Sequence, residues 1–264
     1  MRYFNSPGSF HNSLKTAPMR FWEVLYPVFM YYAVTVAALY VLHFLLPGET
    51  DVPVFRQLLT SLASLPVLYS FYRQDKPFRA AMQPKRTVLV SLLAFVSGVF
   101  FALALNNLLG MLRIADYSAS YEQVSETFYS GRVALELLAL GVVIPVTEEF
   151  LFRGIVYERA KNWLGPKRAA LVSAVLFGVV HMNLVQFVYA FIFGILLAYF
   201  MERSGSFAAA AAAHMAANIS SVLRAETNIL PVFNQNSIVT TAVLFLAAAA
   251  GIFGTEQLCK KFKK

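Results

Sequence analysis

Long apolar runs separated by short polar ones recur along the whole chain. Their lengths are those of membrane-spanning helices rather than of helices in a soluble core. The pattern predicts eight spans, at 21–47, 56–72, 87–112, 131–153, 169–181, 185–200, 207–223 and 238–254. A crossing helix needs about 20 apolar residues, so 169–181 is short and 185–200 is marginal. One long helix over 169–200 would carry Lys260, Lys261, Lys263 and Lys264 to the outer side, against the positive-inside tendency. Two short helices turning tightly around Met182, Asn183 and Leu184 keep those lysines inside. Short helices are tolerated where they line a protein-enclosed cavity. The expected fold is all-α: a polytopic membrane helix bundle of about eight spans enclosing an intramembrane cavity open toward the cytoplasm. A cytoplasmic segment 1–20 precedes a single membrane domain over 21–254, and a basic cytoplasmic tail, 255–264, follows it.

Composition narrows the class. Of 264 residues, 58% are hydrophobic and only 14% are charged, whereas soluble chains average about 25% charged. That excludes a disordered chain, a coiled coil and an ordinary cytosolic enzyme. The net charge of +8 does not point to nucleic acid, because the basic residues alternate between loops. Loops 1–20, 73–86, 154–168, 201–206 and 255–264 hold 17 basic and 4 acidic residues. Loops 48–55, 113–130, 182–184 and 224–237 hold 2 basic and 6 acidic. Both termini are therefore expected in the cytoplasm. The single cysteine, Cys259, excludes an internal disulfide and a cysteine-built metal site. The polar start and the long first span read as an anchor rather than a cleaved signal peptide.

Four acids remain inside the spans: Glu23, Glu136, Glu148 and Glu149. Glu23 and Glu136 lie near span ends and read as interfacial carboxylates. Glu148 and Glu149 sit deep in the fourth span, where an ionisable group costs about 2.5–3.5 kcal/mol on insertion scales and marks function. Neighbours on a helix point about 100° apart. Glu149 and Arg153 are four apart with the acid first, the better order for an ion pair. Glu148 is then the free, desolvated carboxylate, suited to act as a base.

Among four histidines, His11 reads as solvated and His43 as interfacial. His181 ends the fifth span, one turn after Phe177, and His214 shares a helix face with Asn218. With the fourth helix taken on to about residue 159, and counted from the cytoplasmic ends of the helices, Glu148, His181 and His214 lie about 16, 18 and 14 Å deep. Three helices thus bring an acid and two histidines to one level.

These residues resemble three motifs of the CAAX protease and bacteriocin-processing enzyme family: Glu148-Glu149-x-x-x-Arg153, Phe177-x-x-x-His181 and His214-x-x-x-Asn218. Its eukaryotic members are the type II CAAX prenyl endopeptidases of the endoplasmic reticulum. The likeness covers about 145–220 and places a catalytic core at about 131–223. It implies an intramembrane endopeptidase in which Glu148 is the general base, His181 positions or activates water, and His214 and Asn218 stabilise the oxyanion. Glu149, Arg153 and Phe177 would support them. Neither a Gly-x-Ser-x-Gly nucleophile motif nor a His-Glu-x-x-His zinc motif occurs.

Family members have long been labelled metalloproteases, and Glu148, His181 and His214 offer an alternative zinc set with one open position. The metal-free reading is preferred, because an amide on the His214 face suits an oxyanion donor. The expected partners are membrane lipid and a membrane-associated peptide or protein substrate, not nucleic acid; the sequence does not give the oligomeric state. The expected location is the plasma membrane if the chain is bacterial and the endoplasmic reticulum if eukaryotic. A transporter or proton relay is the alternative from another class, without the inverted repeats of several transporter folds. A non-catalytic scaffold or immunity protein is a third reading.

Overall fold

The computed structural model describes residues 16–45, 52–75, 87–129, 132–227, 229 and 237–261. His11, Lys263 and Lys264 lie outside the described residues. Every regular element among those described is helical. In chain order they are α1 (Ala17–Leu45), α2 (Val52–Gln74), α3 (Thr87–Met111), a short 3-10 turn (Ile114–Tyr117) and α4 (Ala119–Phe128). Then follow α5 (133–164), α6 (Pro166–Val179), α7 (Leu184–Ser204), α8 (Phe207–Glu226) and α9 (Ile238–Lys261).

Each of the eight apolar stretches therefore corresponds to one helix. Four of these helices, α1, α3, α7 and α9, are long and apolar enough to cross a membrane on their own. The chain is an integral membrane protein built from them. Three boundaries differ from expectation. The fourth helix continues well past residue 153, to Leu164. The last helix runs through most of the expected tail to Lys261. The loop at 113–130 contains α4, a short amphipathic helix that contacts α2 and α7. Its Phe128 joins a small core with Val54, Leu58 and Ala139.

Local chemistry fixes the turns. Asn183 caps α7, its side-chain oxygen accepting from Gln186 N at 2.9 Å. Ser206 caps α8 by accepting from Ala208 N at 3.2 Å. Met182, at φ 59°, makes the reversal between α6 and α7 that the sequence places there. The antiparallel α6–α7 pair packs against α5, and α3 packs between α8 and α9.

At the end expected to face the cytoplasm, ion pairs bind the helices to one another. Arg159 of α5 bonds Asp75 Oδ2 at 2.8 Å and the Glu23 carbonyl of α1 at 2.8 Å. Glu202 of α7 accepts from Tyr157 and Lys161 of α5 at 2.7 and 2.6 Å. Near the other end, Glu136 is wholly buried. It accepts from its helix's own Arg132 N at 3.2 Å, and this corrects its reading as an interfacial carboxylate.

The helix that carries the two glutamates is irregular in two places. Residues Ala139–Val143 and Phe152–Tyr157 wind as π-helix on either side of the α-helical stretch Ile144–Leu151. Such segments widen the helix by one residue per turn and are frequent at functional sites.

Candidate active site

The α-helical stretch between the π segments turns Glu149 into the protein and leaves Glu148 at its edge. The Glu149 side chain is fully buried, while that of Glu148 is 16% exposed. Glu149 Oε1 accepts two hydrogen bonds, from Arg153 Nη1 at 2.7 Å and from His214 Nδ1 at 3.0 Å. Arg153, also fully buried, donates its other arm to the Gly194 carbonyl of α7 at 2.9 Å. Its guanidinium stacks 4.7 Å above the Phe177 ring. The expected Glu149–Arg153 pair is thus present, and it does more than the i, i+4 spacing suggests. It ties α5 to α6, α7 and α8 at one point.

Both histidines are held in a defined tautomer. A carboxylate and a carbonyl only accept hydrogen bonds. His214 Nδ1 therefore carries a proton toward Glu149. His181 Nδ1 carries one toward the Phe177 carbonyl, at 2.7 Å. In each ring Nε2 is then the nitrogen left without that proton, and the Nε2 of His214 is the one with a contact to Glu148. His214 Nε2 lies 3.7 Å from Glu148 Oε2, beyond hydrogen-bond length. Phe177 stands edge-on to both imidazoles, with centroids at 5.1 Å to His181 and 5.3 Å to His214. His181 joins the group through that shared ring.

Asn218 lies one turn beyond His214 on α8 and donates Nδ2 to the Leu140 carbonyl of α5 at 2.9 Å. The second amide hydrogen is left for another acceptor. Two residues that the motifs do not contain, Tyr31 and Tyr32, lie in the surroundings of Glu148, with no hydrogen bond to the site among the described residues. The phenols of Tyr31 and Tyr32 on α1 lie within electrostatic reach of Glu148. Their rings meet edge to face at 5.0 Å. The available signal was a pair of adjacent tyrosines in the middle of an apolar span.

The zinc alternative requires three ligands at about 2.0–2.2 Å from one point. Among the described residues, no group of three or more His, Cys, Asp and Glu side chains is arranged to hold an ion. Glu148, His181 and His214 are all described, and they do not form such a set in this geometry. The buried carboxylate nearest the histidines, Glu149, is engaged by Arg153 and His214.

The arrangement is a carboxylate at the edge of a buried polar cluster, facing an imidazole whose far nitrogen is fixed by a second carboxylate. A base, and a ring oriented by a third group, are the parts that hydrolysis of an acyl bond needs.

Comparison with known proteins gives one relative and one family model. The UPF0177 protein YxdF of Lactococcus lactis subsp. lactis (strain IL1403) is 27% identical over 126 residues, covering 46% of this chain and 70% of that protein. No solved structure matches. Residues 130–220, the stretch that contributes Glu148, Glu149, Arg153, Phe177, His181, His214 and Asn218, match the family model described as type II CAAX prenyl endopeptidase Rce1-like. The likeness carried by the three motifs is therefore borne out: this segment is similar to the CAAX-type membrane peptidases.

Proposed function

We propose that this chain is an intramembrane endopeptidase that hydrolyses a peptide bond in a membrane-associated or lipidated substrate, using water activated by Glu148. The observation that carries the reading is the line Glu149–His214–Glu148. One imidazole nitrogen is bonded at 3.0 Å to a buried carboxylate, and the other stands 3.7 Å from a partly exposed one. That gap is wider than a hydrogen bond, yet both atoms can bond to a single oxygen placed beside them.

In the proposed reaction Glu148 takes a proton from water as its oxygen attacks the carbonyl carbon. The carbonyl oxygen becomes the oxyanion. His214, charged when its Nε2 is also protonated and held by Glu149, donates to it together with the second Asn218 hydrogen. His181 Nε2 accepts from the attacking water and fixes its direction. Collapse of the tetrahedral intermediate breaks the C–N bond. The proton held by Glu148 passes to the leaving nitrogen, giving a carboxylic acid and an amine; the acid's remaining proton then moves to the amine, so the products leave as carboxylate and ammonium. No step needs a metal ion.

The same reading covers topology and substrate. Eight crossings with both termini cytoplasmic follow from the loop charges, with the site opening toward that side. C-terminal processing of the CAAX type and bacterial peptide processing are the two substrate classes that the family likeness offers. The test is to compare peptide C-termini in membranes that carry the parent chain or Glu148→Gln. New C-termini should appear with the parent alone. Identical peptide sets would reject the peptidase reading.

A further inference from the structure

The turn that precedes Glu148 has an unusual hydrogen-bond pattern. In the π segment Ala139–Val143, the Ile144 N–H bonds back to the Ala139 carbonyl, five residues earlier. In an α-helix that N–H would serve Leu140. In the π register the donor for the Leu140 carbonyl would be residue 145, which is proline and has no N–H. The α-register donor is used elsewhere and the π-register donor does not exist. A carbonyl left so costs free energy to the extent that water cannot reach it, and this one is in a partly buried position. The donor that reaches it is a side chain from another helix, Asn218 Nδ2 at 2.9 Å.

The neighbouring residues make room for this bond. A Cβ on Gly141 would lie 2.9 Å from Cγ1 of Ile219, the residue next to Asn218. A side chain there would have to push Ile219 aside, so the glycine helps α8 lie this close to α5. At the end of the segment, buried Thr147 donates its hydroxyl to the Val143 carbonyl at 2.9 Å. The register shift lies four residues before Glu148. Moving a helix from π to α registry at that point rotates all that follows by about 100° relative to what precedes it. Glu148 would then take the direction in which Glu149 now faces, and Glu149 would turn about 100° further away.

We propose that Asn218 is a positioning residue as well as an oxyanion donor. With Pro145 and Gly141 it locks the π register of α5 that directs Glu148 toward the site and Glu149 toward Arg153 and His214. The aiming of Glu148 rests on the proposed function; the lock itself does not. Pro145 creates the vacancy in the ladder, and Asn218 closes it from α8, so the two residues act as one device.

A double-mutant cycle on the purified full-length chain tests the lock. Asn218→Ala removes the side-chain donor, and Pro145→Ala removes the ring that bars the α register, so that a backbone N–H can reach the Leu140 carbonyl, that of residue 145 in the π register or that of Ile144 once the segment returns to α. Asn218→Ala is expected to lower Tm by about 3–6 °C and to speed hydrogen exchange across 139–149. In the Pro145→Ala background the same substitution should cost less than half as much. Equal losses in both backgrounds would overturn the lock. For the aiming of Glu148, Pro145→Ala alone should lower kcat about tenfold or more with KM unchanged, using an internally quenched farnesylated peptide as probe, while Tm holds or rises. Unchanged kcat would overturn that part. If the parent chain does not cleave the probe, the peptidase reading loses support. The orientation is then measured by how fast dicyclohexylcarbodiimide labels Glu148, which should change about threefold or more in Pro145→Ala. An unchanged labelling rate would overturn the aiming.

Discussion

Glu149 and His214 lie 65 residues apart and share a 3.0 Å hydrogen bond in a fully buried setting. The same carboxylate oxygen accepts from Arg153 at 2.7 Å. Glu149 therefore has two duties, neutralising a buried guanidinium and orienting an imidazole, and the two separate by mutation. Glu149→Gln should destabilise the protein by about 3–5 kcal/mol, because it leaves Arg153 without its countercharge. Glu149→Leu with Arg153→Met should recover most of that stability, since a buried ion pair is often replaceable by apolar groups of similar volume. Peptidase activity should not return, because His214 has lost its orienting partner. Tm and turnover on the same samples decide this. Recovery of both together would mean that Glu149 serves Arg153 alone.

Glu148 should behave differently. Its side chain is 16% exposed and its contact to His214 is 3.7 Å, so little of the fold depends on it. Glu148→Gln should insert, purify and melt like the parent, with cleavage reduced about 10²–10⁴-fold for loss of a general base. Near-normal turnover would remove Glu148 from that role.

How far the sequence reveals this site depends on the range of each interaction. Glu149–Arg153 is legible because its partners are one helical turn apart. Glu149–His214 is not, because no local spacing encodes a contact between α5 and α8. The fourth helix reads as a span to 153 that runs on to about 159, short of Leu164, because Glu158, Arg159 and Lys161 fall in a stretch that counts as loop. They are instead the charged end of a helix whose Arg159 reaches Asp75 and Glu23. Glu136 was misplaced for a similar reason: closeness to a span end says nothing of the helices packed around it. The π segment before Glu148 is not legible in the sequence, because of the residues proposed to hold it Pro145 is local but Asn218 lies 78 residues from the carbonyl it serves. Apolar run length fixed the remaining helices, and α4 escaped because its composition is polar.

The packing of α3 lies outside the stretch that matches the peptidase family, yet it sets the position of His214. A Cβ on Gly98 would stand 2.5 Å from the carbonyl oxygen of Ala213, the residue before His214. Backbone cannot yield as a flexible side chain does, so Gly98→Ala should push α8 away from α3 and cost about 1–3 kcal/mol. Activity should fall with it. Gly254→Ala is the control, because nothing lies within 4 Å of the added carbon. It should be neutral or slightly stabilising, since alanine is the better helix former. Equal Tm values for the two variants would contradict the close approach.

The topology expected from the loop charges is testable at both ends. A reporter fused after Lys264, and another placed between α3 and α5, should report opposite sides of the membrane, the first cytoplasmic. Lys260 and Lys261 end α9, and each basic residue near an anionic surface is worth about 1 kcal/mol. Neutralising the tail lysines should therefore loosen association with anionic lipid without changing the fold. An external signal from the C-terminal reporter would reject eight crossings with cytoplasmic termini.

Metal dependence gives the last prediction. Zinc hydrolases hold the ion with three side chains and leave one position to water. Here each histidine has Nδ1 committed, to Glu149 in one case and to the Phe177 carbonyl in the other. Such outer partners also orient metal-bound histidines, so tautomer alone does not distinguish the mechanisms. The ligand set separates the two models in an experiment. Glu148, His181 and His214 would be the ligands, and the described residues contain no group of three arranged to hold an ion. If Glu148 bound an ion, Glu149 would have to leave Arg153 to serve as base, uncovering a buried cation at a cost of about 3–5 kcal/mol. The expected outcome is activity that persists under stringent chelation, with well under one zinc per chain by elemental analysis of active protein. Chelators that are themselves apolar can block an intramembrane site, so inhibition counts only if added zinc reverses it. About one zinc per chain, lost together with activity in His181→Ala and restored with it in the parent, would establish the metal mechanism instead.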